Sequence, residues 1–215
     1  MRHQRSTEVS TVKKPVNSDQ QGKIAGLAVV VMAAGLGKRM RSKQAKVLHP
    51  VAGQAMVLYS VGLGLRVAGG CVAVVVGHQA DLVRQVIDRA TSRKTGGSPV
   101  AIVEQREQLG TGHAVLQSRP VFAVGKRGAP SRYLILNGDT PLLQEKTVRE
   151  LLRVHEAECA TVTLLTAVLA DASGYGRVVR AHSGERGVSR IVEDRDANAE
   201  EQAIREINVG TYVVD

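Results

Sequence analysis

The sequence predicts an α/β protein, a doubly wound, Rossmann-like, mostly parallel sheet that carries an antiparallel extension. Three observations lead there. Short continuous apolar runs, without polar alternation, recur along the first two thirds of the chain, as strands buried on both faces of a parallel sheet require. Segments of helical length and period alternate with them, the pattern of βαβ units. Beyond about residue 160, strands instead follow one another through short loops, which favours antiparallel or mixed pairing. The 215 residues, 43% hydrophobic and 23% charged, suit one large globular α/β domain or two small ones.

In chain order, residues 1–25 are polar and aperiodic and read as a flexible basic arm. Its Arg2, Arg5, Lys13, Lys14 and Lys23 stand against only Glu8 and Asp19. Residues 26–215 read as the folded domain. Leu27–Met32 is the first strand. Ala55–Val67 has helical spacing, and Cys71–Val76 is a second apolar run. Asp81–Ala90 places Leu82, Val83, Val86 and Ile87 on one helical stripe. Val100–Val103 and Tyr133–Leu136 are further strands, with helices expected at Gly112–Gln117 and Glu145–Glu158. Ala160–Leu169, Arg177–Arg180, Val188–Glu193 and Ile207–Val214 form the extension, with a helical insert near Ala199–Ile204. Asp215 follows an apolar run with no closing helix, which reads as a domain cut short.

Composition narrows the function. Aromatics make up 2% of the chain, Trp is absent and Phe122 is the only Phe, so the core is aliphatic. Sheets that stack nucleic-acid bases on aromatic rings are disfavoured. No apolar run reaches the ~18 residues of a membrane span. Cys71 and Cys159 are too few for a disulfide framework or a cysteine metal site. They read as small buried apolar residues of a protein in a reducing, cytoplasmic compartment. The net charge of +9 favours anionic partners. The dense cluster Lys38, Arg39, Arg41, Lys43 and Lys46 sits beside glycines at the end of a strand, which points to phosphate. A nucleic-acid binder remains an alternative, without a recognition motif to support it.

Four groups of residues carry chemistry. The first strand runs into Ala33-Ala34-Gly35-Leu36-Gly37-Lys38-Arg39-Met40. Small residues let backbone N–H groups approach phosphate, and Arg39 and Lys46 add cations suited to a triphosphate. The loop is not a dinucleotide fingerprint, because Met40 stands where a third glycine belongs. Nor is it a P-loop, because Met32 and Arg39 occupy its defining positions. A plain strand-to-loop turn is the bland alternative. Next, a strand ends at Gln105 and a glycine turn at Gly110-Thr111-Gly112 opens a helix. The Gln105 amide can donate and accept, as a uracil edge requires, while Thr111 could equally be a helix cap. Asn137-Gly138-Asp139-Thr140 lies at the carboxyl end of a strand, where ligands collect in open α/β sheets. Asp139 could hold Mg2+ against phosphate oxygens, or simply shape a turn. Last, Gly176, Glu193 and Asn208 are individually bland. His49, His78 and His113 lack metal-ligand spacing, and His113 reads as packing or hydrogen-bonding rather than catalytic.

In order and spacing these motifs resemble those of the sugar-1-phosphate nucleotidyltransferases. The string Gln108-Leu109-Gly110-Thr111-Gly112-His113-Ala114 is similar to the uridyltransferase domains of bacterial bifunctional N-acetylglucosamine-1-phosphate uridyltransferases. The resemblance spans roughly Leu27–Val214. It implies a nucleotide-diphospho-sugar transferase fold that moves UMP from UTP to N-acetylglucosamine 1-phosphate, giving UDP-N-acetylglucosamine and pyrophosphate. It implies catalytic roles for Arg39, Lys46 and Asp139, with Asp139 on Mg2+. Ala33, Ala34, Gly35, Gly37, Gln105, Gly110, Thr111 and Gly138 would bind nucleotide, and Gly176, Glu193 and Asn208 the sugar. No nucleic-acid or membrane partner is implied. The chain departs from the family in having Lys38 for a usual threonine and Ala45 for a usual proline. The family's second metal ligand and its hexapeptide-repeat acetyltransferase half have no counterpart in these residues. The alternatives are another sugar phosphate or nucleotide, or a binding remnant without catalysis.

Overall fold

The computed structural model describes residues 22–35, 37, 40, 42–95, 100–122, 129–181 and 187–215. The expected arm lies outside the described residues up to position 21. Ile24, just beyond, packs on the core and its N–H donates to Val67 O at 2.8 Å.

The elements follow in order: β1 (Leu27–Ala33), β2 (Pro50–Val51), β3 (Gln54–Ala55), α1 (Met56–Ala68), β4 (Val72–Val76), α2 (Ala80–Thr95), β5 (Val100–Glu104), α3 (Thr111–Gln117), β6 (Arg132–Asn137), α4 (Glu145–Ala157), β7 (Val162–Val168), β8 (Arg177–Arg180), β9 (Val188–Val192), α5 (Ala199–Gln202) and β10 (Glu206–Val214). One eight-stranded sheet runs β5-β4-β1-β6-β10-β8-β9, with β7 pairing the other edge of β10. Strands β5, β4, β1 and β6 are mutually parallel, while β10 is antiparallel to β6, β7 and β8. The expected parallel half with an antiparallel extension is therefore what forms.

β1 is central and covered on both faces. Val29, Val30 and Val31 are fully buried, as are all five residues of β4 to within 1%. Alternate side chains of β1 enter different clusters, as a two-residue period requires. Leu27, Val29 and Val31 pack with residues of α1, α2 and α4, while Ala28 and Val30 pack with Ala114 of α3 and Phe122. The second face is alanine-rich, so α3 approaches the sheet closely. The lone Phe122 closes that side, edge-on to Tyr133 with ring centroids 5.8 Å apart.

Three expectations need correction. The helix expected from Ala55 begins at Met56, because Ala55 closes a two-residue hairpin, β2–β3, that the sequence pattern did not suggest. The turn between them uses Ala52 and Gly53 at φ 48° and 80°. Cys159 is exposed rather than buried. It follows α4 in the left-handed region at φ 46°, where it ends the helix. Cys71 is half-buried, and burial pushes its thiol pKa up.

Candidate active site

Sheet order reverses beside β1. The chain first adds β4 and β5 on one side and then crosses to add β6 on the other. A crevice forms outside the carboxyl ends of strands at such a switch point. Here it is a cavity of about 550 Å3, whose lining includes Ala34, Gly35, Gly37, Lys46, Gln105, Gly110, Thr111 and Asp139. Residues scattered over more than a hundred positions of sequence thus meet in one place. Ala33 is buried beneath the loop, at the end of β1. Gly138 lies under the cavity floor, where its N–H donates to Met32 O at 2.9 Å and an added Cβ would meet that same oxygen at 3.1 Å. Arg39 lies outside the described residues.

Lys46 is held by what surrounds it. It opens a 3₁₀ turn over Lys46–Leu48, and Val47 and Leu48 anchor that turn in the core. Gly37, at φ 59°, packs directly against it, since a Cβ there would lie 2.7 Å from Lys46 Cβ. Ala45 N–H donates to Gln79 Oε1 at 2.8 Å, and Gln79 Nε2 donates to Lys43 O at 2.7 Å. Proline at position 45 could not make the first of these bonds. Gln79 thus supplies by hydrogen bonding the backbone restraint that a proline ring would supply by itself. The Lys46 ammonium stands 2.6 Å from Asp139 Oδ2. Asp139 makes no other hydrogen bond among the described residues, so one carboxylate oxygen stays available to a ligand.

Several contributors carry no signal in the sequence. Gly77 lets the loop after β1 lie across the end of β4, because a Cβ there would come within 2.9 Å of Ala34 O. Gln108 Nε2 donates to the same Ala34 O at 2.8 Å and pins the loop from the opposite wall. Ser60 Oγ donates to Asn137 O at 2.7 Å and steadies the end of β6 from α1. Glycine after a strand marks Gly77 only generically, nothing local marks Gln79 or Ser60, and Gln108, though it opens the Gln108–Ala114 string, carries no mark of this contact with the β1 loop.

Gly176, Glu193 and Asn208 form a second cluster. Asn208 N–H donates to Gly176 O at 2.9 Å, and a Cβ on Gly176 would lie 3.6 Å from Glu193 Oε1. None of the three lines the first cavity. The Asn208 amide is engaged internally, donating to Tyr212 Oη at 2.6 Å and accepting from Gly210 N–H at 3.0 Å. The two clusters are joined by a bulge in β10 between Asn208 and Tyr212. There Gly210, at φ 80°, leaves room for Asn137 Nδ2, which donates to Val209 O at 3.2 Å. Nearby, the Arg180 guanidinium hydrogen-bonds the Glu206 carboxylate and holds its pKa below the usual glutamate range.

An open sheet with a cation, a carboxylate and a turn rich in small residues converging at its switch point suits a polyphosphate ligand, and the class of protein follows. Residues 29–202 match the MobA-like NTP transferase domain, and the chain belongs to that family. It is a nucleotidyltransferase-type domain, of the kind its motifs resemble. It is 47% identical over 186 residues to "Bifunctional protein GlmU" of Exiguobacterium sibiricum, covering 86% of this chain and 38% of that protein. It is 48% identical over 186 residues to the protein of the same name from Brevibacillus brevis, covering 86% and 37%. The chain therefore spans less than two fifths of these relatives. The solved UDP-glucose pyrophosphorylase in complex with UDP-glucose shares the fold, with a TM-score of 0.66 at 16% identity over 89% of this chain and 76% of that one. Among the described residues no helix is long and apolar enough to cross a membrane, and no three His, Cys, Asp or Glu side chains cluster as a metal site.

Proposed function

We propose that the domain transfers UMP from UTP to N-acetylglucosamine 1-phosphate, releasing pyrophosphate, in a reducing cytoplasm that suits its two free thiols. The observation that carries this reading is the meeting of Lys46, Asp139, Gln105 and the β1 loop in one crevice, in a chain close to half identical to GlmU proteins. A phosphate oxygen of the sugar phosphate attacks the α-phosphorus of UTP. A new oxygen–phosphorus bond forms, the bond to the β-phosphate oxygen breaks, and pyrophosphate leaves with that electron pair. The nucleophile is already an anion at neutral pH, so no base has to take a proton. What remains for the protein is alignment and charge neutralisation.

Lys46 supplies positive charge beside the phosphates, and Arg39 is proposed to add a second cation. Backbone groups of Ala33, Ala34, Gly35, Gly37 and Gly138 shape the floor. Gln105, Gly110 and Thr111 take the uracil end. Gly176, Glu193 and Asn208 take the amino sugar. Asp139 is the residue that would hold Mg2+, and a single carboxylate fits an ion that keeps one or two protein carboxylates and fills its shell with phosphate oxygens and water. Bound there, Mg2+ would neutralise phosphate charge.

Pyrophosphate release, measured for four nucleoside triphosphates against a panel of sugar 1-phosphates, tests the assignment. UTP with N-acetylglucosamine 1-phosphate is expected to be fastest. A higher rate for any other pair overturns the substrate assignment, and UTP binding without turnover by any pair overturns catalysis by this chain.

A further inference from the structure

The hydrogen-bond network behind Gln105 does more than bury an amide. Gln105 follows β5 on the cavity wall and is only 4% exposed. Its Nε2 lies 3.1 Å from Gly110 O and 3.1 Å from His113 Nδ1. His113 Nε2 in turn lies 3.0 Å from Gln117 Nε2. We infer that His113 is a positioning residue for nucleobase selection: backed by Gln117, it locks the Gln105 amide so that only its oxygen faces the base, favouring pyrimidines with an N–H at position 3. This deepens the proposed use of the cavity by a nucleoside triphosphate and rests on it.

Donor and acceptor bookkeeping fixes the network. A backbone carbonyl only accepts, so the Gln105 atom facing Gly110 O is the nitrogen. The second N–H of that nitrogen needs an acceptor, so His113 Nδ1 carries no proton and the neutral ring is protonated at Nε2. A protonated Nε2 only donates, so Gln117 presents Oε1 to it. The structure sets Gln117 Nε2 at that place, with a further 3.4 Å contact to His113 O, but this leaves both ring nitrogens accepting, which a neutral imidazole cannot do, so the terminal amide is assigned the reverse way. One arrangement therefore satisfies all three side chains.

In that arrangement both N–H bonds of Gln105 point into the protein. Its Oε1 has no partner among the described residues and is the polar atom left for the cavity. A lone acceptor pairs with the N3–H of uracil or thymine. It faces the bare N3 of cytosine oxygen to lone pair, which leaves both unpaired. Without His113, the second N–H of Gln105 has no acceptor and Gly110 O alone holds the amide, so its orientation is less strongly fixed against the turn that would suit cytosine.

The test is titration calorimetry of UTP and CTP, with Mg2+, on the 215-residue chain and on His113→Phe, which keeps a ring and removes the acceptor. The wild type is expected to prefer UTP. His113→Phe is expected to shrink that preference about tenfold, the size of one hydrogen bond. A purely structural role would weaken both nucleotides equally, and that result overturns the inference while leaving UTP binding intact. Binding of neither nucleotide by the wild type overturns the proposed function as well. Nitrogen-15 NMR of wild-type His113 gives a readout independent of any variant's folding. A proton on Nε2 is expected, and a proton on Nδ1 overturns the inference.

Discussion

At the scale of single residues, the site is a set of short-range restraints on a few charged groups. Lys46, Asp139 and Gln105 were legible because their chemistry announces itself: a cation, a carboxylate and an amide, each close to an apolar run. Gln79 was not, because its role exists only once folding brings it beside a loop more than thirty residues away. It sits at φ 56° and bridges Lys43 O and Ala45 N–H through one amide. Gln79→Ala breaks both bonds, each of which contributes about 1 kcal/mol. The variant is expected to lose about tenfold in kcat/KM for UTP while its melting temperature changes by only a few degrees. Steady-state kinetics beside thermal unfolding checks this. Unchanged kinetics would show that Lys46 does not depend on the Gln79 bridge.

At the scale of elements, legibility depended on element length. β1 and β4 were readable because a continuous, valine-rich apolar run suits a strand buried on both faces and little else. α4 was readable from the stripe Val148, Leu151, Leu152 and His155, all buried on one face. The hairpin β2–β3 was not, since two-residue strands carry no period and Ala52 hides a turn that asparagine or glycine would have advertised. Nor was the linkage at the end of α4, where buried His155 lies 2.9 Å from Thr163 Oγ1 and 3.0 Å from Asp215 Oδ1, tying helix, β7 and the end of β10 together. The extension has its own electrostatic joint. The Arg180 hydrogen bond lowers the Glu206 pKa in the folded state, so the pair stabilises β8 against β10 while Glu206 is ionised. That contribution is complete above the ordinary glutamate value of about 4.3 and disappears as pH falls through the lower folded value. Glu206→Gln is therefore expected to destabilise the domain by about 1 kcal/mol at pH 7 and to flatten the acid limb of its melting curve. Melting temperature measured from pH 7 down to 3 checks it, and parallel curves for variant and wild type would count against the linkage.

At the scale of the whole molecule, the switch point between β1 and β6 explains why motifs so far apart in sequence meet in one crevice. The parallel half could be anticipated because each βαβ unit is nearly local. The pairing of β10 with β6, β7 and β8 could not, because antiparallel partners distant in sequence leave no local signature. The bulge at Gly210 that joins the crevice to the Gly176–Glu193–Asn208 cluster belongs to that nonlocal geometry. The low aromatic content fits the proposed function, in which the nucleobase is met by the Gln105 amide and backbone rather than by stacking.

Phosphorus-31 NMR of the reaction mixture tests the proposed UMP transfer in that crevice. With UTP, N-acetylglucosamine 1-phosphate and Mg2+, the chain is expected to form UDP-N-acetylglucosamine and pyrophosphate in equal amounts. Asp139→Ala, kept folded as judged by its melting temperature, is expected to slow this by a hundredfold or more, on the order of what loss of a charge-stabilising group costs. No sugar nucleotide from the wild type, or an undiminished rate from Asp139→Ala, would contradict the account.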